Sequence, residues 1–202
     1  MKILKWILII VGGGFALYIV GAIVALIVLF AQFDSSSYEE LVANYEEKSK
    51  EIREVEQFIN SRLPKNKVVE IEFENYSISR FYVRTDGKYD PSLDISGTKS
   101  VKEEDLLKDL NWSYKTTDSL KRKLDKAGCI SVQSGTPCQI GFQRHGMGMY
   151  FYNLFDEPVP DSLTNNYNDS CRYILYKKDV ALEWLGGAIG VQCFPEFNRK
   201  RR

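Results

Sequence analysis

The pattern of apolar and charged positions divides the chain into a short apolar run and a longer mixed remainder. From Trp6 to Ala31 no residue is charged. At about 1.5 Å rise per residue, a helix of that run would span a hydrocarbon core of about 30 Å. The apolar region of a cleaved signal peptide is shorter, about 7 to 15 residues. We therefore predict an uncleaved transmembrane signal anchor over residues 6–33, in contact with the lipid bilayer.

The distribution of basic residues predicts the orientation of this anchor. Lys2 and Lys5 precede the apolar run, whereas the first basic residue after it is Lys48. Because lysines close to a span stay preferentially in the cytoplasm, we expect residues 1–5 to be cytoplasmic. The expected location is thus the cell membrane, single-pass, with the C-terminal part of the chain extracytoplasmic.

A juxtamembrane helix is predicted over residues 34–63. Ser35 to Ser37 followed by Glu39 and Glu40 suits a helix N-terminus, and Pro64 suits its end. Apolar residues recur along it every seven positions, at Tyr38, Tyr45, Ile52 and Ile59. Two interpretations stay open. Either this stripe pairs with a partner helix or a second copy as a stalk, or it packs on the domain that follows.

Residues 64–197 alternate in the manner of strands, with helical segments between them. Val69, Ile71 and Phe73 alternate with glutamates, and a second strand is expected over 77–84, ending at a turn at Asp86 and Gly87. The stretch 91–98 suggests a loop. Two helices should follow. The first should run from a capping box at Ser100 and Glu103 to Leu110, and the second should end at Gly128.

From Cys129 onward the sequence predicts strands almost exclusively. Expected strands are 130–133, 139–144, 149–155, 172–176, 180–184 and 191–194. The fold class is therefore α+β: one transmembrane helix, a juxtamembrane helix, and an extracytoplasmic domain with a mainly antiparallel sheet and two short helices.

Composition narrows the classes of partner. The 202 residues include 27 Lys plus Arg and 27 Asp plus Glu, so no net charge draws the chain to nucleic acid, which we do not expect as a partner. The basic segment 198–202 is interpreted as a solvated tail. The 12 tyrosines and 11 phenylalanines are enough to form a core.

Four cysteines lie in the predicted outer domain, an even number that suits two disulfides in an oxidising compartment. They contain no C-x-x-C pair of the kind that redox sites and zinc sites use. We predict structural disulfides with the pairing left open among Cys129, Cys138, Cys171 and Cys193.

Three groups of residues could carry chemistry, and each has a simpler interpretation. His145, the one histidine, suits a turn between strands. Glu70, Glu72 and Glu74 share a strand face, where cross-strand ion pairs with Arg80 and Arg84 are favoured over a cation site. The segment 161–169 is rich in oxygen ligands but lacks calcium-loop spacing, which favours an asparagine-rich turn.

No catalytic, cofactor-binding or metal-binding residue is therefore assigned, and no cofactor is expected. The leading hypothesis is a non-enzymatic binding or interaction module on a membrane anchor, with a ligand surface on the sheet. Candidate ligand residues are the aromatics Tyr150, Tyr152, Trp184 and Phe194. The alternatives are a membrane-anchored hydrolase of the cell envelope and a subunit of a larger membrane complex.

Overall fold

The computed structural model describes residues 19–21, 37–95, 102–145, 147–187 and 193–194. The predicted anchor over 6–33 lies outside these residues except for 19–21, and the tail 198–202 lies outside them altogether. Among the described residues, no helix combines the length and the apolar character needed to cross a bilayer. Residues 36–202 form one compact unit.

That unit is an α+β domain built on an antiparallel sheet, which confirms the predicted class. Its strands are β1 (Lys67–Glu74), β2 (Ser77–Thr85), β3 (Lys88–Asp94), β4 (Ser131–Gln133), β5 (Cys138–His145), β6 (Gly148–Leu154), β7 (Tyr173–Lys177) and β8 (Val180–Leu185). Its helices are α1 (Tyr38–Asn60), α2 (Glu103–Asp109), α3 (Tyr114–Ala127) and α4 (Asp161–Thr164). The eight described strands pair in the order β3-β2-β1-β4-β5-β6-β8-β7.

Helix α1 packs on the domain and is not a free stalk. Ser37 caps its N-terminus, accepting from the Glu40 amide at 3.2 Å while the Glu40 carboxylate accepts from the Ser37 amide. Tyr45, Ile52 and Ile59 lie in the core, with at most 4% of their surface exposed. The stripe that could have paired with a partner helix is thus covered by this chain's own sheet and by α3.

Two local predictions are corrected, and a third falls mostly outside the described residues. Residues 91–94 belong to strand β3 and not to a loop, because β3 is an edge strand, where the missing amide of Pro91 removes no internal ladder bond. Lys102, not Ser100, precedes the first residue of α2, and it makes no side-chain cap. The predicted strand 191–194 lies mostly outside the described residues, and Cys193 and Phe194 have no regular secondary structure.

Helix α3 follows its sequence signals closely. Ser113 forms a capping box with Thr116, and Gly128 ends the helix in the left-handed region at φ 66°. Leu120, Leu124 and Ala127 are fully buried against the sheet and α1. One face of the sheet is therefore covered by helices. The opposite face carries the alternate side chains of each strand.

Candidate functional site

The second face of the sheet is covered at one end and uncovered at the other. The segment after β6 folds back over β8, where Phe155, Val159 and Ala181 form a small apolar cluster with Tyr167 and Leu175. No such cover lies over β1, β4 and β5 in the part of the chain that the structure describes, and two connected cavities open there. Their volumes are about 500 and 240 Å³, and both are lined by Glu72, Arg80 and Arg144. We call this region the sheet-face cleft.

A two-pronged ion pair occupies the centre of the cleft. Arg144 donates from Nε and Nη2 to the two carboxylate oxygens of Glu72 at 2.7 and 2.8 Å. Glu72 is buried, whereas 46% of the Arg144 side chain is exposed. The buried carboxylate thus fixes the guanidinium in one orientation and leaves its outer edge facing the cavity.

Irregular pairing helps to place Arg144. The register of β5 against β6 shifts between Gly141 and Arg144, a β-bulge of the kind that redirects a side chain. Gly141 leaves room for its neighbours, because a Cβ there would overlap Ser131 Oγ and lie 2.6 Å from the Met149 sulfur, and both side chains would have to move. The local sequence therefore aims the guanidinium across β4 toward β1.

A second set of charges continues the cleft onto β2. Arg80 donates to Glu70 at 3.1 Å, and the Tyr82 hydroxyl donates to the other oxygen of the same carboxylate. Burial and the neighbouring Glu70 charge raise the pKa of Tyr82 to about 12. Arg84 donates to the Tyr82 oxygen at 3.0 Å. Glu70 and Glu72 therefore each already hold a guanidinium partner, whereas Glu74, at the end of β1, is exposed to solvent.

Apolar side chains form the other wall. Met149 and Phe151 of β6 line the smaller cavity, and Met147 and Leu185 stand at its rim. Met147 is 58% exposed, so its side chain is accessible to a ligand in the cleft. The cleft therefore combines fixed guanidinium groups with an apolar edge.

The covered end of the same face holds a buried polar network. Glu183 is fully buried and accepts from Gln139 at 2.6 Å, from Asn153 at 3.0 Å and from Arg172 Nε at 2.8 Å. These bonds satisfy a charge that would otherwise be costly in the interior. This network serves the fold and offers no exposed edge for a ligand.

The aromatic residues predicted as a ligand surface are core residues, and that prediction is wrong. Tyr150, Tyr152 and Phe194 are fully buried, and Trp184 is 3% exposed. Alternation places Tyr150, Tyr152 and Trp184 on the helix-covered face, where the Tyr152 hydroxyl donates to the Leu41 carbonyl at 2.8 Å. Large aromatic residues suit a core as well as a binding surface, which is why sequence alone did not separate the two.

The cysteines form one bridge and not two. Cys171 and Cys193 are bonded, and the Phe194 amide donates to the Cys171 carbonyl at 2.9 Å. Cys129 and Cys138 are free thiols within the core, and burial raises the pKa of each above its ordinary value. They behave as small apolar residues.

The remaining candidate residues, His145 and the segment 161–169, make contacts that support the fold. The His145 ring, at the end of β5, packs edge-on against Trp184 at 5.4 Å between centroids. Asp169 accepts from the amides of Cys171 and Tyr173 at 2.8 Å each, which ties the asparagine-rich turn to β7. Among the described residues, no group of histidine, cysteine or acidic side chains could hold a metal ion.

Sequence reasoning identified the glutamates of β1 and Arg80 but missed Arg144. The partner of Glu72 lies 72 positions along the chain, in a strand that β4 separates from β1. Only the strand order brings them together. Comparisons with known protein families, with curated proteins and with solved structures find no match for this chain.

Proposed function

We propose that the protein is a membrane-anchored, extracytoplasmic binding module whose sheet-face cleft holds an extended polypeptide segment of a partner protein. The anchor is the apolar segment 6–33. The observation that carries the ligand site is the fork between buried Glu72 and half-exposed Arg144. A guanidinium held in this way can donate to a backbone carbonyl or a carboxylate with little ordering cost.

The chemistry of the cleft favours a peptide over a simple anion. Glu70, Glu72 and Glu74 lie beside Arg80 and Arg144, so the cleft offers both acceptors and donors and carries only a small net charge. An extended backbone presents one donor and one acceptor per residue. The apolar rim at Met147 and Leu185 would receive a side chain of the same segment.

The width of the cleft suggests the length of the segment. Measured from Glu72 in β1 to the apolar rim at Leu185 in β8, the cleft crosses β4, β5 and β6, and these five strands are consecutive neighbours in the sheet. Four spacings of about 4.8 Å give about 19 Å, the length of about six residues at about 3.3 Å each. A hexapeptide is thus the smallest probe that would fill the site.

Binding accounts for this charge arrangement better than the hydrolase alternative does. A general acid or base needs a carboxyl free to exchange protons at the substrate. In the cleft both central carboxylates, Glu70 and Glu72, are held by arginines. If the protein is a subunit of a larger complex, the same cleft would be its contact, because the heptad stripe of α1 is buried.

A display selection tests the proposal. Random hexapeptides would be selected on the full-length protein in non-ionic detergent and then measured by fluorescence anisotropy. Selected peptides should lose at least about tenfold in affinity for Met147→Glu, which places a charge at the apolar rim, and several-fold for Arg80→Ala.

The matched control is Arg122→Ala, which removes an exposed arginine of α3 away from the cleft. Its affinity should equal that of the unmodified protein. Failure to enrich any peptide, or equal binding of the selected peptides to all three variants, would refute the proposed site.

A further inference from the structure

A separate cleft lies between the β1–β2 turn and the helices α2 and α3. Its volume is about 640 Å³, and Phe73 of β1 lines both this cleft and the neighbouring sheet-face cleft. The residues that give it chemical character are Phe73, Tyr76, Glu103, Tyr114, Asp118 and Lys121. We call it the tyrosine cleft.

Two tyrosine rings at this cleft stand in solvent. Tyr76 is 96% exposed at the tip of the β1–β2 turn, and Tyr114 is 54% exposed at the first turn of α3. Turn positions ordinarily favour small or polar residues, so a large ring there contributes nothing to local conformation. Exposed aromatic rings beside a concave surface are typical of binding sites.

Acidic groups dominate the surroundings. The charged residues that line the cleft are Glu103, Asp118 and Lys121, two acidic and one basic. Lys121 forms an ion pair with Asp125, and Asp118 forms one with Arg122. Glu103 forms no ion pair among the described residues. Desolvation and the charge of Glu104 raise the pKa of the Glu103 carboxyl. A cation beside it would favour the charged carboxylate and so act against both effects.

The chain's own lysine shows how a cation meets this surface. The Lys121 ammonium lies 5.7 Å from the centroid of the Tyr76 ring, within the range of a cation–π interaction. The face of the Tyr76 ring that Lys121 approaches is therefore one that accepts a positive group. An anionic ligand would meet an excess of carboxylates, whereas an ammonium group would meet ring faces and a carboxylate together.

We propose that the tyrosine cleft binds an organic ammonium group, stacked on Tyr76 and Tyr114 and balanced by Glu103. Such a group belongs either to a free quaternary amine or to a lysine side chain of a bound protein. A quaternary amine relies on ring faces, and a primary ammonium also donates hydrogen bonds to the carboxylate.

Three probes distinguish these sources and test the charge requirement. The full-length protein in non-ionic detergent would be titrated with choline, with Nα-acetyl-lysinamide and with dimethylbutanol, the uncharged carbon isostere of choline. Affinities would be read by saturation-transfer NMR at constant ionic strength. At least one ammonium probe should saturate and bind about tenfold more tightly than the alcohol. The tighter of the two ammonium probes identifies the source.

Variants at the cleft complete the test. Tyr76→Ala should weaken ammonium binding about threefold, the loss of one exposed cation–π contact. Glu103→Gln should weaken it by a similar factor. Tyr76→Phe keeps the ring and should bind like the unmodified protein. Because Tyr76 is exposed, neither Tyr76→Ala nor Tyr76→Phe should affect folding. Equal binding of the alcohol and the ammonium probes, unchanged affinity in Tyr76→Ala, or no saturable binding would overturn the proposal.

Discussion

Removal of Arg172 should destabilise the domain through the charge that it leaves behind. Glu183 is fully buried, and only 28% of the Arg172 side chain is exposed. Breaking a buried pair by deleting one partner costs about 3–5 kcal/mol. Gln139 and Asn153 would still donate to the carboxylate, so we expect the lower end, about 3 kcal/mol, for Arg172→Met.

A double-mutant cycle separates the stranded charge from lost packing. Glu183→Gln alone should cost about 1–3 kcal/mol, because the amide oxygen still accepts but the amide nitrogen, a donor, would face the donor groups of Arg172 or of Gln139 and Asn153. The pair of substitutions together should cost only about 1.5 kcal/mol, because no charge then remains buried. Urea unfolding of the full-length protein in non-ionic detergent, followed by tryptophan fluorescence, would measure all three.

The fluorescence reports on this region because Trp184 adjoins Glu183 and is buried. A matched control is Arg122→Met, which breaks an exposed pair with Asp118 and should cost at most about 1 kcal/mol. Two results would refute the reasoning. Either Arg172→Met costs no more than this control, or the effects at Arg172 and Glu183 simply add.

Three further predictions concern conformation and pH. Gly148→Ala should destabilise the domain by about 1–3 kcal/mol in the same unfolding assay, because a Cβ there would overlap the buried Trp184 ring. Gly128→Ala should cost at least about 1 kcal/mol, since φ is 66° and the new Cβ would lie 2.7 Å from Asn44 Oδ1. The folded-state pKa of Tyr82 is about 12 against a model-peptide value of 10.0, so its contribution to stability is complete below pH 10 and is lost as the pH rises through 12. The absorbance difference between the unmodified protein and Tyr82→Phe isolates the Tyr82 signal. In an alkaline titration this signal should appear at higher pH in the folded chain than in the unfolded chain, and coincident curves would contradict this.

Local signals were sufficient to predict most elements of the domain. Capping serines, the glycine at 128 and the alternation of β1 are short-range features, and the structure places α1, α3 and β1 where these features suggested. The edge position of β3 is different, because it depends on which strands find neighbours. A proline is compatible with a loop or an edge strand, and only the strand order decides.

The site depended on non-local pairing and was therefore harder to predict. The expected cross-strand ion pair with Arg80 forms at Glu70, whereas the partner of Glu72 is Arg144 of β5, beyond β4. The sequence also did not show on which face of the sheet the aromatic residues of β6 and β8 lie. The reason is that β6 is largely buried on both faces: Tyr150 lies on the helix-covered face, and Phe151 lines the cleft. Alternation gives two faces and does not say which one the helices cover.

The most direct test of an anchored, extracytoplasmic module is thiol labelling in intact cells with a membrane-impermeant maleimide. We expect no labelling before reduction, because Cys171 and Cys193 are bridged while Cys129 and Cys138 are buried. After mild reduction Cys171 and Cys193, both partly exposed, should be labelled from outside the cell. Labelling of these two cysteines only after lysis, and without any reductant, would place the domain in the cytoplasm and contradict the account.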